Sequence, residues 1–136
     1  MADHFFGITD TGKVRDNNED AFIAQEINDR KLLLACVIDG VGGYSGGEIA
    51  AAIARDSIIT HLEDSSNGVI SRMKEAFIVA GEKIDAQKDQ QPQYANMACV
   101  LTLAVVDIER NKFYYAHLGD TRLYLFRDHS LIKVSK

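Results

Sequence analysis

The most constraining feature of this sequence is an apolar run, KLLLACVI (31–38), that ends at an acidic residue and a glycine-rich segment. Apolar residues fill both alternating sets of positions in the run, which favours a β-strand buried on both faces. Asp39 follows directly, within VIDGVGGYSGGE (37–48). Each glycine there loses more backbone entropy on folding than alanine would, so the segment is expected to do more than turn the chain. The acid is expected to point into a crevice at the end of the strand.

The composition indicates one ordered domain and excludes two classes of partner. The chain has 136 residues, 46% of them hydrophobic and 26% charged, with a single proline. A net charge of -5 without a cluster of Lys and Arg argues against nucleic-acid binding. The longest apolar run is far shorter than the roughly 20 residues that cross a bilayer, and the N-terminus lacks a cationic segment followed by an apolar one. We therefore expect a cytoplasmic protein with no membrane partner.

Residue patterns predict strands first, then two adjacent helices, then more strands. The first strands are expected at 5–9 and 21–27, on either side of a polar loop. Helices are expected at about 47–63 and about 67–88, joined by a short linker. The remaining strands form a predicted meander of hairpins, at 98–108, 112–118, 122–127 and 130–134. Segregated strands and helices indicate an α+β fold in which helices cover a face of the sheet.

Apolar residues recur at steps of three and four in both predicted helices, which gives each helix one buried face. In the first helix these are Ala51, Ala54, Ile58 and Leu62. In the second they are Ile70, Met73, Phe77, Ala80 and Ile84, and Asn67 is suited to the N-cap. Cys36 and Cys99 lie in apolar runs and are expected to be core residues rather than ligands or a disulfide. The four histidines lie far apart and match no zinc spacing.

Three loops carry acids beside glycine or asparagine, and each adjoins a predicted strand. They are RDNNED (15–20), DGVGG (39–43) and LGDTR (118–122). Carboxylate and carbonyl oxygens, without Cys or His, are the ligands that Mg²⁺ and Mn²⁺ prefer. If the loops meet at one end of the sheet, they would form a metal site from Glu19, Asp20, Asp39 and Asp120. Glycine would then let the backbone approach the ion without a clashing Cβ.

Other interpretations of these loops remain open at this point. Asp and Asn in turns commonly bond only to nearby backbone, so each loop alone could be a solvated turn. Arg15 could hold a phosphate through its two-pronged guanidinium, or be an exposed surface arginine. A dinucleotide-binding loop is a weaker alternative, because Gly40, Gly42 and Ser45 only half-fill its glycine pattern and Asp39 would repel a pyrophosphate.

Three motifs, in order, resemble those of the PPM-type (type 2C) metal-dependent Ser/Thr protein phosphatases of bacteria. They are Arg15-x-x-Asn18-Glu19-Asp20, then Asp39-Gly40-Val41-Gly42-Gly43 with Gly47-Glu48 behind it, then Gly119-Asp120-Thr121-Arg122. The resemblance implies a two-sheet β-sandwich flanked by helices, in α-β-β-α layers, with a pair of Mn²⁺ or Mg²⁺ ions in a cleft at one end of the strands. It also implies hydrolysis of phosphoserine and phosphothreonine in phosphoprotein substrates by a metal-activated water.

The resemblance also implies roles for individual residues. Asp39 would bridge the two metal ions, and the Gly40 carbonyl and Glu19 would be further ligands. Arg15 would hold the substrate phosphate, with Asp39 the other residue central to catalysis. Asp120 matches the acid that the family uses at an additional, weaker metal site. The supporting groups would be Asn18 and Asp20.

The sequence departs from the family pattern in two ways. Position 44 is Tyr, where many bacterial members have His, so a proton donor to the leaving group is not identified. The family's domain also continues well beyond the last motif, with further strands and metal-binding aspartates. We therefore expect 1–136 to be the N-terminal portion of a single catalytic domain, with impaired activity and with exposed sheet edges that favour self-association.

Two other functional classes remain as alternatives to the hydrolase. One is a non-catalytic protein-binding module that retains the phosphatase fold, which the shortened domain and Tyr44 would allow. The other is a nucleotide-binding α/β domain, which the strand-rich C-terminal part disfavours.

Overall fold

The computed structural model describes residues 5–28, 31–43, 45–64 and 66–136. Its strands and helices follow the predicted order. They are β1 (Asp20–Ile27), β2 (Leu32–Val41), α1 (Gly46–Glu63), α2 (Val69–Gln90), a short 3-10 helix (Pro92–Tyr94), β3 (Ala98–Asp107), β4 (Lys112–Leu118), β5 (Tyr124–Arg127) and β6 (Ser130–Lys133). The strands form two antiparallel sheets, which with the two helices confirms the α+β fold.

The larger sheet has the order β1-β2-β3-β4, so every strand pairs with its neighbour in the chain. The predicted meander is wrong in one respect, because the hairpin of β5 and β6 forms a separate two-stranded sheet. Gly119 has a φ of 96° just after β4, and this left-handed turn takes the chain off the ladder. The hairpin base stays attached to β4 through the Tyr115 hydroxyl, which donates to the Val134 carbonyl at 3.3 Å.

The core lies between the helices and one face of the larger sheet. Helix α1 packs against β1, β2 and β3, and α2 packs against α1. The predicted stripe of α1 is confirmed, since all four of its residues are buried. In α2 the stripe is shifted, because the helix begins at Val69 after an extended Gly68 that replaces the predicted cap Asn67. Ile70 is consequently 55% exposed, whereas Val69 and Ala76 are buried.

The prediction that the apolar run would be buried on both faces is wrong. Leu32, Leu34, Cys36 and Ile38 are buried against the helices, but Val37, on the opposite face, is 47% exposed. Among the described residues the helices cover one side of the sheet only, so we call the other side the open face. Burial raises the pKa of the Cys36 thiol to about 12, with a smaller contribution from Cys99, which fits the predicted core role.

Residues 5–9 are not the strand that was predicted. They join neither sheet, and contacts with side chains hold them instead. Gly7 lies against the Phe22 ring, where a Cβ would collide with the ring carbons. The Asn18 amide donates to the Thr9 hydroxyl at 2.7 Å. No helix in the described ranges is both long enough and apolar enough to cross a membrane.

Candidate active site

The N-terminal loop and the adjoining ends of β1 and β2 enclose a cavity of about 280 Å³, which we call the acidic cavity. Its lining includes one arginine, two asparagines and several carboxylates. The residues are Asp10, Thr11, Arg15, Asn17, Asn18, Glu19, Asp20, Asp39 and Gly40. Every site residue predicted from the first two motifs is therefore in this one place. Of the predicted set, only Asp120 lies outside the lining.

The register of β1 on β2 brings two of the acidic loops together. Asp20 pairs directly with Asp39 across the ladder, so both side chains lie on the open face. The Gly40 amide donates to the Glu19 carbonyl at 3.2 Å. Glu19 and Gly40 are therefore also held together, one residue beyond the end of the ladder between β1 and β2. The core fixes this register, because a slip of one residue would exchange the buried and exposed faces of the strand.

Glycines in the second motif allow β2 and the start of α1 to cross at backbone contact. A Cβ on Gly40 would lie 2.7 Å from the Glu19 carbonyl oxygen and closer still to the Gly47 carbonyl. A Cβ on Gly47 would lie 2.7 Å from the Val41 nitrogen and would overlap the Glu19 carboxylate. Gly47 thus provides the space in which the Glu19 side chain reaches the cavity. Close backbone contact therefore accounts for two glycines of the glycine-rich segment, Gly40 and Gly47.

The charges around Asp39 repel one another. The pKa of its carboxyl is raised above the usual value of 3.8, first by partial burial, then by the charge of Asp20 and a hydrogen bond to it, and then by the charge of Asp120. Arg15 acts in the opposite direction and lowers the pKa. A cation between these carboxylates would remove the repulsion and favour their ionised forms. Net negative charge is thus concentrated at the predicted metal site.

The oxygen ligands in the cavity suit Mn²⁺ or Mg²⁺, but the protein side chains that the structure describes do not surround an ion completely. Carboxylate and carbonyl oxygens line the cavity, as hard cations require. Within the described ranges, however, no three His, Cys, Asp or Glu side chains are grouped closely enough to hold one ion. Ions of this type usually keep several waters and need only one or two carboxylates from the protein. The cavity therefore suits a largely hydrated ion.

Asp120 lies in the turn that follows β4. Gly119 begins this turn against the Val100 side chain, where a Cβ would collide. The next residue, Thr121, lines a neighbouring cavity of about 220 Å³ that Asp20 and Asp39 also line. Asp120 thus acts on Asp39 electrostatically without lining the acidic cavity itself. The third motif reaches the same end of the sheet as the first two.

Sequence reasoning named Asn18 as a supporting residue but missed two other residues of the site. Asn18 connects two segments, because its side-chain amide nitrogen donates to the Thr9 hydroxyl and its side-chain oxygen accepts from the Asp20 backbone amide at 3.0 Å. Asp10 and Thr11 line the cavity although neither was singled out. A signal was present, since Asp10 accepts from the Gly12 amide at 2.7 Å in an Asp-x-Gly turn. Tyr44, the residue that departs from the family pattern, lies outside the described residues.

Another cavity, of about 260 Å³, lies at the opposite end of the sheet and is structural. Its basic groups already have partners. Arg72 donates to the carbonyls of Leu62 and Asn67 at 2.8 and 2.7 Å. Arg110 binds the Asp107 carboxylate at 3.3 Å, and Lys31 pairs with Glu109. These contacts tie loops to helix and strand ends.

The known proteins to which this chain is similar are protein phosphatases. The chain is 33% identical over 130 residues to the serine/threonine protein phosphatase PstP of Mycobacterium tuberculosis, a match that covers 94% of this chain and 24% of that protein. It is 30% identical over 139 residues to the protein phosphatase PhpP of Streptococcus pneumoniae, covering 92% and 54% respectively. The chain thus spans about a quarter to about half the length of these curated relatives.

Solved structures agree with the sequence matches. The crystal structure of the M. tuberculosis serine/threonine phosphatase PstP/Ppp has a TM-score of 0.79 at 30% identity and covers 92% of this chain and 50% of its own. The catalytic domain of PstP in complex with two manganese ions has a TM-score of 0.74 at 30% identity, with coverage of 92% and 51%. The family description "Protein phosphatase 2C" matches residues 12–136, which include all three motifs. The chain therefore belongs to the protein phosphatase 2C family.

Proposed function

We propose that this chain is part of a metal-dependent hydrolase that removes phosphate from phosphoserine and phosphothreonine in proteins. The observation that carries the proposal is the acidic cavity, where Arg15 lies beside Glu19, Asp20 and Asp39. A lone guanidinium within a ring of carboxylates suits a site that binds a phosphate and its counter-cations together. The metal dependence is further supported by the manganese ions of the related PstP domain.

In this proposal each predicted residue has a role at the cavity. Arg15 binds two phosphate oxygens through its guanidinium, which fixes the orientation of the phosphorus. Asp39 and the Gly40 carbonyl hold Mn²⁺ or Mg²⁺ directly, Glu19 contributes from the space above Gly47, and Asp120 holds a weaker additional ion. Asn18 and Asp20 are supporting groups, since Asn18 fixes the Asp20 backbone.

The chemistry needs no covalent nucleophile from the protein. A bound pair of divalent cations would lower the pKa of a water toward about 7 and offset negative charge on the phosphate. This chain's contribution is to position the phosphate through Arg15 and to concentrate carboxylates opposite it. Because Asp20 and Asp39 are directly paired across two strands, their spacing is set by the sheet rather than by mobile loops.

We also propose that residues 1–136 correspond to the N-terminal portion of one catalytic domain. The proposal is supported by the match to the solved catalytic domain of PstP, of which this chain covers 51%. A cytoplasmic location, phosphoprotein substrates and self-association through uncovered apolar surface belong to the same proposal. Val41 and Phe126, which are 53% and 70% exposed, support the last of these.

Release of phosphate from an aryl phosphate and from a phosphothreonine peptide, with and without Mn²⁺, tests the proposal. We expect metal-dependent release that Asp39→Asn abolishes. Asp89→Asn is the matched control, because Asp89 is an exposed acid on α2 outside the acidic cavity. Phosphate release at the same rate with and without Mn²⁺ would contradict the proposed metal-dependent hydrolase. Equal rates of release by Asp39→Asn and Asp89→Asn would contradict it as well. Binding of a phosphoprotein without any release, even by a chain extended through the rest of the catalytic domain, would overturn it in favour of the non-catalytic binding module.

A further inference from the structure

Three side chains form a hydrogen-bonded series across the open face, next to the acidic cavity. The Thr102 hydroxyl lies 2.7 Å from Nδ1 of His117, its direct partner on β4. The same hydroxyl lies 2.6 Å from the Thr121 hydroxyl. Thr121 follows Asp120 and lines a cavity with Asp39. The series therefore links the middle of the sheet to the turn that carries the third motif.

Thr102 is an unusual residue for its position. It is 3% exposed in β3 although it lies on the open face, where its cross-strand partner on β2, Val37, is 47% exposed. Valine has nearly the same shape and would avoid burying a hydroxyl, which is costly without a hydrogen bond. Thr102 compensates that cost through its bonds to His117 and Thr121. Packing alone does not explain a threonine here, whereas two bonded partners do.

The donors in this series have a defined order. Nε2 of His117 lies 3.0 Å from the Lys136 carbonyl oxygen, which can only accept, so Nε2 carries a proton. In the neutral ring Nδ1 then accepts from the Thr102 hydroxyl, and Thr102 accepts from the Thr121 hydroxyl. Each hydroxyl thus uses its single proton within the series. The arrangement restrains Thr121 in one orientation.

The turn that Thr121 belongs to lies outside both sheets. Residues 119–123 are in neither helix nor strand, and Asp120 is exposed. A carboxylate on such a turn needs a restraint if it is to stay close to Asp39. We propose that Thr102 and His117 are positioning residues, which hold the Asp120 turn beside the acidic cavity through the Thr121 hydroxyl. The restraint itself is independent of the proposed function, and only its consequence for ion binding rests on it.

Amide hydrogen exchange in the metal-free chain tests the restraint directly. Thr102→Val is expected to speed exchange of the Leu123 amide, which donates to the Ser135 hydroxyl at 2.9 Å at the end of this turn, about tenfold, the scale of one lost hydrogen bond, with no change in the buried amides of β2. Thr121→Val is expected to do the same from the other end. Thr102→Ser keeps a hydroxyl and should stay close to wild type. Thr60→Val, the same change at an exposed position on α1, is the matched control.

Mn²⁺ binding tests the consequence without relying on catalysis. Thr102→Val and Asp120→Asn should each weaken binding at the weaker site, and combining them should add nothing, because Thr102 acts through Asp120. Turn exchange unchanged by both valine variants, or additive losses in the double variant, would overturn the inference. Absence of metal-dependent hydrolysis in the wild type would contradict only the proposed function, since exchange is measured without metal or substrate.

Discussion

The crossing of β2 and α1 makes one substitution particularly informative. In Gly47→Ala the new methyl would overlap the Glu19 carboxylate and approach the Gly40 carbonyl carbon and the Val41 nitrogen at 2.7 Å. The last two atoms belong to the backbone of a central strand and cannot rotate away. The Glu19 side chain can move, but moving it takes a carboxylate away from the acidic cavity.

The expected loss of stability combines two opposing effects. Overpacking against fixed neighbours costs about 1–3 kcal/mol. Alanine in a helix regains about 0.5–1 kcal/mol relative to glycine. The net destabilisation of Gly47→Ala should therefore lie between about 0 and 2.5 kcal/mol, which lowers the Tm of a chain of this length by at most roughly 10 °C.

Urea unfolding with linear extrapolation measures the change, and α2 provides the control. Gly81 is also a helical glycine, but a Cβ there would meet nothing within 4 Å. Gly81→Ala should therefore be stabilising by about 0.5–1 kcal/mol. Opposite signs at the two positions would support the close crossing. A Gly47→Ala chain as stable as Gly81→Ala would refute it, and with it the position assigned to Glu19.

Further predictions concern the charges and the exposed surfaces. Arg15→Lys should reduce kcat/KM for an aryl phosphate about tenfold, because lysine cannot form the two-pronged bond; Arg127→Lys, on exposed β5, should leave the rate unchanged. Asp39 has a raised pKa, so its contribution to stability is present below its usual pKa of 3.8 and is lost as pH rises through the folded value. Metal-free Asp39→Asn should therefore be more stable than wild type at pH 7, by about 0.5 kcal/mol on the scale of like-charged cross-strand pairs, and the difference should vanish in thermal melts below pH 3.8. Phe113 is 48% exposed and stacks on Tyr115, so Phe113→Glu should lower the weight-average mass seen by sedimentation at high concentration, whereas a wild type that is already monomeric would contradict self-association.

Much of the fold could be predicted because local patterns and tertiary packing agree. The stripe of α1 ends in Ile58 and Leu62, both fully buried, and the helix bounds differ from prediction by one residue. The prediction failed at α2, where the residue that begins the helix decides which side chains face the core. Asn67 is a good capping residue, yet Gly68 takes the cap and shifts the buried face of α2. The sequence alone does not reveal which of two adjacent residues becomes the N-cap of a helix.

The strand errors have a different cause, which is that a sequence does not reveal what covers a sheet. In the run at 31–38 the residues that face each side of the sheet are mostly apolar. The described helices, however, cover only one of these sides. Val37 is consequently half exposed despite its pattern. The segment 5–9 has strand-like residues but is held by Phe22 and Asn18 rather than by a ladder.

The candidate site was more predictable than the contacts that support it. Acids beside glycines mark a chemistry that sequence can display, so Glu19, Asp20 and Asp39 were identified from their loops. The contacts that hold them do not show in the sequence. Thr102 lies within an apolar strand, and its link to Thr121 depends on the register of β3 on β4 and on the turn at Gly119.

The geometry of the site follows from the alternation of a single strand. In β2, Ile38 is buried against the helices, Asp39 faces the open side, and Gly40 returns to the helix side, where α1 crosses it. Because side chains alternate with a period of two, a one-residue slip would bury the Asp39 carboxylate and expose Ile38. The apolar core therefore fixes the position of Asp39 opposite Asp20, although the two carboxylates repel each other. Packing on one face of the sheet thus holds together on the other face a group of charges that would otherwise separate.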